Sequence, residues 1–192
     1  MISLETNTLS FFARLVDVGY FSVSGNATST LIMWIIRISL DLYGDNFSPR
    51  KALKEITDNI QISSSNEPDD LNDKDPDGVY GFGSLSILSP QIYGLQYEMA
   101  EYEEWYLNFI EKYKPVFDKH GVTAINLFFD VFDNGGQLNF EILSRELLKK
   151  VGQYEIAIPI SVYRLTTEQI VDMLSVTTMS QEKLKQYVED PN

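Results

Sequence analysis

The chain of 192 residues contains no cysteine. A disulfide framework, a thiol nucleophile and a zinc–thiolate site are therefore all excluded. It has one histidine, so any Ser-His-Asp arrangement would hang on His120. The longest apolar run is Leu31 to Ile36, far short of the roughly 20 residues a membrane span needs. The opening MISLETNTLS has no basic region and carries Glu5, so a secretory signal is not expected. With disulfides absent as well, a cytoplasmic location is the expectation. Basic residues are scarce, 15 against 28 acids, giving a net charge of −13. Such a field repels nucleic acid and anionic membranes and speeds encounter with a basic protein. Solubility alone would also account for it. No Gly-rich phosphate cradle occurs either. Gly81-Phe82-Gly83 has no following helix or lysine, and reads as the tight entry to a strand.

What is present points to an α+β fold in one domain. Residues 36 to 48 (IRISLDLYGDNFS) and 125 to 134 (INLFFDVFDN) share a pattern. Ile36 matches Ile125, Leu40 matches Phe129, and Asp41 matches Asp130. Each alternates apolar residues, turns at a Gly/Asp/Asn cluster and enters a helix through serine. The expectation is two pseudo-repeated strand–turn–helix–strand halves on one core, with a mainly antiparallel sheet of five or six strands and packed helices. Residues 1–29 form an N-terminal extension, 30–165 the core and 166–192 a helical tail.

Thr30 to Tyr43 and Val122 to Phe132 are expected strands, with both aspartates off the buried face. Ser48-Pro49 opens a helix whose stripe is Ala52, Leu53, Ile56 and Ile60. Val79 to Leu88 is a short strand. Asn134-Gly135 signals a hairpin with Leu138 to Ile142 pairing back. Ser144 caps a helix ended by Gly152, and Ile156 to Val162 alternates as a strand that Pro159 either confines to an edge or breaks locally. Tail helices are expected near 167–175 and 180–189, capped by Thr166 and Ser180. The longest helix runs from Tyr97 to Lys119, with an apolar stripe of Tyr102, Trp105, Phe109, Tyr113 and Phe117, and stops at Gly121.

The segment from Glu67 to Asp77 holds six acids and almost no apolar anchor, so a mobile surface loop is expected. Within it Asp73, Asp75 and Asp77 with Gly78 imitate the front of a calcium loop. Ser84 stands where the closing bidentate glutamate belongs and Pro76 stiffens the loop, so a solvated loop is the better reading. The run from Phe129 to Gly136 with Glu141 has the same rhythm without the oxygens, and reads as a hairpin. No metal, cofactor or catalytic residue is assigned, and the chain is not read as an enzyme. Two surfaces suit a partner rich in arginine and lysine. One is the acidic segment, through Asp73, Asp75 and Asp77. The other is the outer face of the long helix, through Tyr97, Glu98, Glu101, Glu104, Tyr106 and Glu111. The helix is the stronger candidate because it is preorganised.

At Gly44-Asp45-Asn46-Phe47-Ser48-Pro49, and again from Gln137 to Leu165, the chain resembles an uncharacterised family of small bacterial α+β domains, over roughly residues 33 to 165. The shared motifs are fold motifs: a strand, a Gly-Asp turn, a serine-proline helix entry and a closing strand ending in apolar-Tyr. The resemblance carries over no catalytic residue. It implies a likeness to immunity proteins of bacterial toxin systems, including contact-dependent growth inhibition. The expected role is an immunity protein, or antitoxin, that occludes a basic toxin domain such as a nuclease in a heterodimer. A small-ligand-binding or regulatory module is the alternative.

Overall fold

The computed structural model describes residues 34–72, 75–135 and 142–175, without the side chains of residues 34, 75–77, 96 and 97. The N-terminal extension, most of the expected return strand Leu138–Ile142 and the second tail helix lie outside the described residues. In chain order the elements are β1 (Trp34–Gly44), α1 (Pro49–Leu53), β2 (Gln61–Asn66), β3 (Leu71–Asn72), β4 (Asp75–Val79), β5 (Gly83–Leu88), α2 (Gln96–Lys119), β6 (Ala124–Asp133), α3 (Arg145–Gln153), β7 (Ile160–Arg164) and α4 (Thr167–Ser175). The architecture is α+β. Five strands form one sheet in the order β2-β5-β1-β6-β7, and β3 and β4 pair as a separate hairpin. All pairings in the sheet are antiparallel except β6 with β7.

The alternation in β1 does what period-2 patterning dictates. Ile36, Ile38, Leu40 and Leu42 are buried, as are Ile125, Leu127, Phe129 and Val131 of β6. All of these but Val131 meet Tyr106, Leu107, Ile110, Tyr113 and Phe117 of α2 in one core. The opposite residues, Arg37, Ser39, Asp41 and Tyr43, are half-buried on the second face. Ile35 is the exception there. It is buried with Phe132 beneath Ile170 and Leu174 of α4, which covers that end of the second face.

Both expected strands belong to one sheet, and Asp41 and Asp130 both lie on the face away from α2. The pseudo-repeat itself is not confirmed. β1 and β6 pair directly with one another, from Trp34↔Asp133 to Tyr43↔Ala124. After α1 the chain passes to β2, which pairs with β5. After α3 it returns beside β6 as β7, in parallel. The two halves share a strand pattern but not a topology. Pro159 stands just ahead of the edge strand β7, where its missing N–H costs nothing, and its carbonyl accepts the Phe129 N–H at 2.9 Å.

Helix entries depart from expectation in one instructive way. Ser144 accepts the Leu147 N–H at 3.4 Å as a cap should. Thr166 and Gln169 form a reciprocal capping box. Ser48 occupies the N-cap position of α1, but its hydroxyl donates to Glu67 at 2.8 Å. Glu67 then accepts the Arg50 N–H at 2.7 Å. A carboxylate from a later segment thus caps α1, and Glu67 is buried at 9% exposure. α1 is short as well: Ala52 is buried, while Leu53, Ile56 and Ile60 only pack against the core from its rim.

The acidic segment is therefore not the free loop expected. Its start is pinned by Glu67, and the Glu67 N–H donates to Asp70 at 2.7 Å. Tyr80 N–H donates to the Asp70 carbonyl and Gly81 N–H to that of Pro68. Ladder bonds and a helix cap supply the order that apolar burial does not. Asp73 lies outside the described residues. Asp75 and Asp77 fall on the backbone of β4, with side chains outside them.

Glycines are required where β1, β5 and the end of α2 converge on buried Phe47, among them Gly44, whose Cβ would stand 2.0 Å from the Gly121 carbonyl oxygen. A Cβ on Gly83 would stand 2.0 Å from the Phe47 carbonyl oxygen, and Gly121 holds φ +90° against Asn46. Gly152 in α3 has open space around it. Gly83→Ala should lower stability by about 2 kcal/mol or more through overpacking. Gly152→Ala should raise it by about 0.5–1 kcal/mol through the unfolded chain's lost freedom. Thermal melts of both variants check the pair. Equal melting temperatures would contradict the close approach at Gly83.

Candidate functional site

The long helix reaches its position because its middle is apolar and its hydroxyls find distant partners. Tyr106 is fully buried and donates to the Ile38 carbonyl at 2.8 Å. Its burial drives the phenol pKa strongly up, with Ser89 hydrogen bonds opposing. Tyr113 accepts the N–H groups of Thr57 at 3.1 Å and Asp58 at 3.2 Å, tying the chain after α1 to the helix. Glu103 is buried and accepts the Leu143 N–H at 3.1 Å. The buried stripe is thus turned relative to the expected one. Met99, Tyr106, Leu107, Phe109, Ile110, Tyr113 and Phe117 are buried, whereas Tyr102 and Trp105 sit at the margin.

This corrects the candidate surface on α2. Tyr106 cannot contact a partner, since it is inside the core. Glu98 reaches back to the Leu95 N–H at 2.9 Å. Glu111 is engaged by Lys150 at 3.0 Å, whose hydrogen bond and charge hold the carboxyl below its ordinary range. The side chain of Tyr97 lies outside the described residues. Glu101 and Glu104 remain exposed. His120, at the end of α2, hydrogen-bonds Glu55 at 2.8 Å, and Lys119 of α2 donates to the same Glu55 oxygen at 2.7 Å. No group of three or more His, Cys, Asp or Glu among the described residues is arranged to hold a metal ion. No helix among them is long and apolar enough to cross a membrane.

The second face of the sheet carries a feature the sequence reading did not single out. Arg37 of β1 stands directly opposite Asp130 of β6. Its Nε and Nη2 both donate to one Asp130 oxygen, at 2.8 and 2.5 Å. The guanidinium lies 5.8 Å from the Tyr93 ring centroid and 5.9 Å from that of Phe132, close enough for cation–π attraction. Burial pulls the Arg37 pKa down, but the Asp130 hydrogen bond and charge outweigh it. Asp41 lies farther along β1. Burial pushes its carboxyl above the ordinary range, while a Ser86 hydrogen bond opposes. The signal was an arginine and an aspartate at alternating positions of two strands. Their pairing follows only from the register.

Toward the β5 end, this face finishes in aromatic rings. Tyr43 and Phe82 lie 6.4 Å apart between centroids, and Tyr80 meets Phe82 edge-on at 6.2 Å. Asn66 donates to the Phe82 carbonyl at 2.9 Å and accepts from Ser84, which fixes this corner. The adjoining hairpin pairs Leu71 with Val79. These residues are exposed: Leu71 by 71%, Val79 by 53% and Phe82 by 38%.

No protein-family model, curated protein or solved structure significantly matches this chain. The chemistry of the surface therefore carries the functional argument.

Two outcomes follow from the second face. Arg37→Leu leaves Asp130 charged and almost fully buried without its partner. A cost of about 2 kcal/mol is expected, below the about 3–5 kcal/mol for a wholly buried pair because Arg37 is partly solvated. Replacing both by leucine should recover most of it. A double-mutant cycle by urea denaturation measures this, and additive losses would refute the pairing. Asp41 obeys the opposite sign from a salt-bridged acid, because the folded chain holds its proton more tightly than the unfolded chain. Its contribution is full below the unfolded carboxylate value of about 3.9 and is lost as pH rises through the raised folded value. Asp41→Asn should therefore raise the melting temperature at pH 7, with the gain shrinking toward pH 3.5. A gain independent of pH would show that the charge is not the cause.

Proposed function

We propose that this chain is a non-catalytic binding protein that acts as an immunity protein, occluding the basic cleft of a bacterial toxin domain. The observation that carries the reading is the net charge of −13 displayed partly on a rigid element, with Glu101 and Glu104 exposed on the 24-residue α2. A nuclease suits as target because its cleft must attract phosphate, and a strongly acidic protein competes for that field. Carboxylates on a preorganised helix lose little entropy when they meet arginine or lysine.

The charges serve chiefly to steer. Glu101→Lys with Glu104→Lys should slow association by about tenfold at low salt and leave dissociation nearly unchanged. The wild-type on-rate should fall as salt screens the field, whose reach is about 10 Å at 0.1 M ionic strength. Surface plasmon resonance against the C-terminal domain encoded by the gene directly upstream measures both rates. Absence of binding to that domain, or failure of co-expression to protect cells from it, would sink the reading.

A further inference from the structure

We infer that the corner formed by the β3–β4 hairpin and the aromatic end of the second face is the anchoring contact for a basic protein, with its apolar side chains supplying the residence time. The inference rests on the binding-protein reading above and assigns that reading its contact surface. Exposed Leu71 and Val79 are paired across the hairpin, and exposed Phe82 follows three residues after Val79, flanked by Tyr43 and Tyr80. Soluble chains rarely leave apolar side chains together without use. Aromatic rings with aliphatic neighbours make typical hot spots, because they bury large area at small entropic cost.

The charge around this corner selects the occupant. Exposed Asp69 and half-exposed Asp70 precede Leu71. The backbone there is bonded to that of Tyr80 and Gly81 through the Asp70 and Pro68 carbonyls, so these two carboxylates belong to the stretch that runs alongside the aromatic corner. Asp70 accepts the Glu67 N–H and has Arg50 at 4.0 Å, while the Asp69 side chain is exposed to solvent. An apolar patch with an anionic rim fits a surface where lysine or arginine alternates with apolar residues. It opposes an acidic partner and a second copy of this chain, since two copies would double a charge of −13.

The corner is also held in shape before binding. Asn66 donates to the Phe82 carbonyl and is itself held by the Ser84 hydroxyl, Gly83 is wedged against Phe47, and Glu67 is locked onto α1. Such preorganisation lowers the entropic cost of association. The wider acidic field brings the partner in, and this corner retains it. That division separates the two surfaces kinetically.

The test uses the whole chain and two synthetic peptides of equal charge, one alternating lysine and leucine and one of lysine and glycine. In NMR titration the lysine–leucine peptide should shift the amides of Leu71, Val79, Tyr80 and Phe82 saturably. The lysine–glycine peptide should bind at least about tenfold more weakly. Leu71→Ser with Phe82→Ser, which removes the ring contacts to Tyr43 and Tyr80 but no buried core side chain, should weaken the lysine–leucine peptide by about tenfold or more while the amide spectrum away from the corner stays native. Glu101→Gln with Glu104→Gln should change it by less than about twofold. Equal binding of the two peptides, shifts centred on α2, or no saturable shift would each overturn the inference. Against the upstream-encoded domain, the Leu71/Phe82 variant should dissociate at least about tenfold faster. If that domain binds and its dissociation is unchanged in this variant, the inference fails while the immunity reading stands. If the domain does not bind but the peptide mapping holds, the immunity reading fails while the docking corner stands.

Discussion

The antiparallel ladder between β1 and β6 is the constraint on which everything else depends. It joins residues about ninety positions apart in sequence, from Trp34↔Asp133 to Tyr43↔Ala124, so it forms only after a long loop is closed. β5 hangs on one side of this pair and β7 on the other. Its register is doubly fixed. A slip by one residue would turn Ile36, Ile38, Leu40 and Leu42 out of the core and bring Arg37 and Asp41 into it. The Arg37–Asp130 pair, directly across the ladder, is met only in the correct register. The ion pair therefore contributes specificity as well as the modest stability expected of a half-solvated bridge.

The core face of this ladder determines how α2 lies. Tyr106 reaches the backbone of β1 at Ile38, where it gives a buried hydroxyl its acceptor and aligns the helix over the sheet. Glu103 faces inward because the Leu143 N–H is there to receive. Both residues look like surface positions in a sequence, since one is amphipathic and the other charged. Their partners lie 68 and 40 residues away, which local periodicity cannot report. The strands β1 and β6, the extent of α2 and the caps at Ser144 and Thr166 were legible, because each rests on residues within a turn or two; of the expected strand Val79–Leu88 only Gly83–Leu88 forms β5, and Val79 belongs to β4. The hidden features all depend on long-range partners: the turned stripe of α2, the borrowed cap of α1 and the Arg37–Asp130 pair.

The acidic segment shows the same limit from the other side. Its composition argues for disorder, since Leu71 is the only large apolar residue between Glu67 and Asp77. What composition omits is that a carboxylate can cap a helix from afar. Glu67 satisfies Ser48 and the Arg50 N–H, which a serine side chain alone would have done for one donor. The strand repeat, which the fold does not confirm, meets a related limit. Two segments with the same alternation can be copies of one unit or adjacent strands of one sheet, and both answers produce the same sequence pattern. Here they are neighbours in the sheet, and the segments that follow them diverge.

The sheet also separates the two surfaces that a partner could use. α2 lies on the core face, with Glu101 and Glu104 on its outer side. Tyr43 belongs to the opposite face, with Phe82 and the hairpin at its end. A compact partner seated on one of them would have to wrap around the sheet to reach the other. The charges on α2 can still act on that partner, because their field extends over roughly a Debye length, whereas leucine and phenylalanine act only in contact. In the proposed complex, encounter and retention would therefore fall on different sides of the molecule. Substitutions on α2 would act on association, and substitutions at the aromatic corner on dissociation.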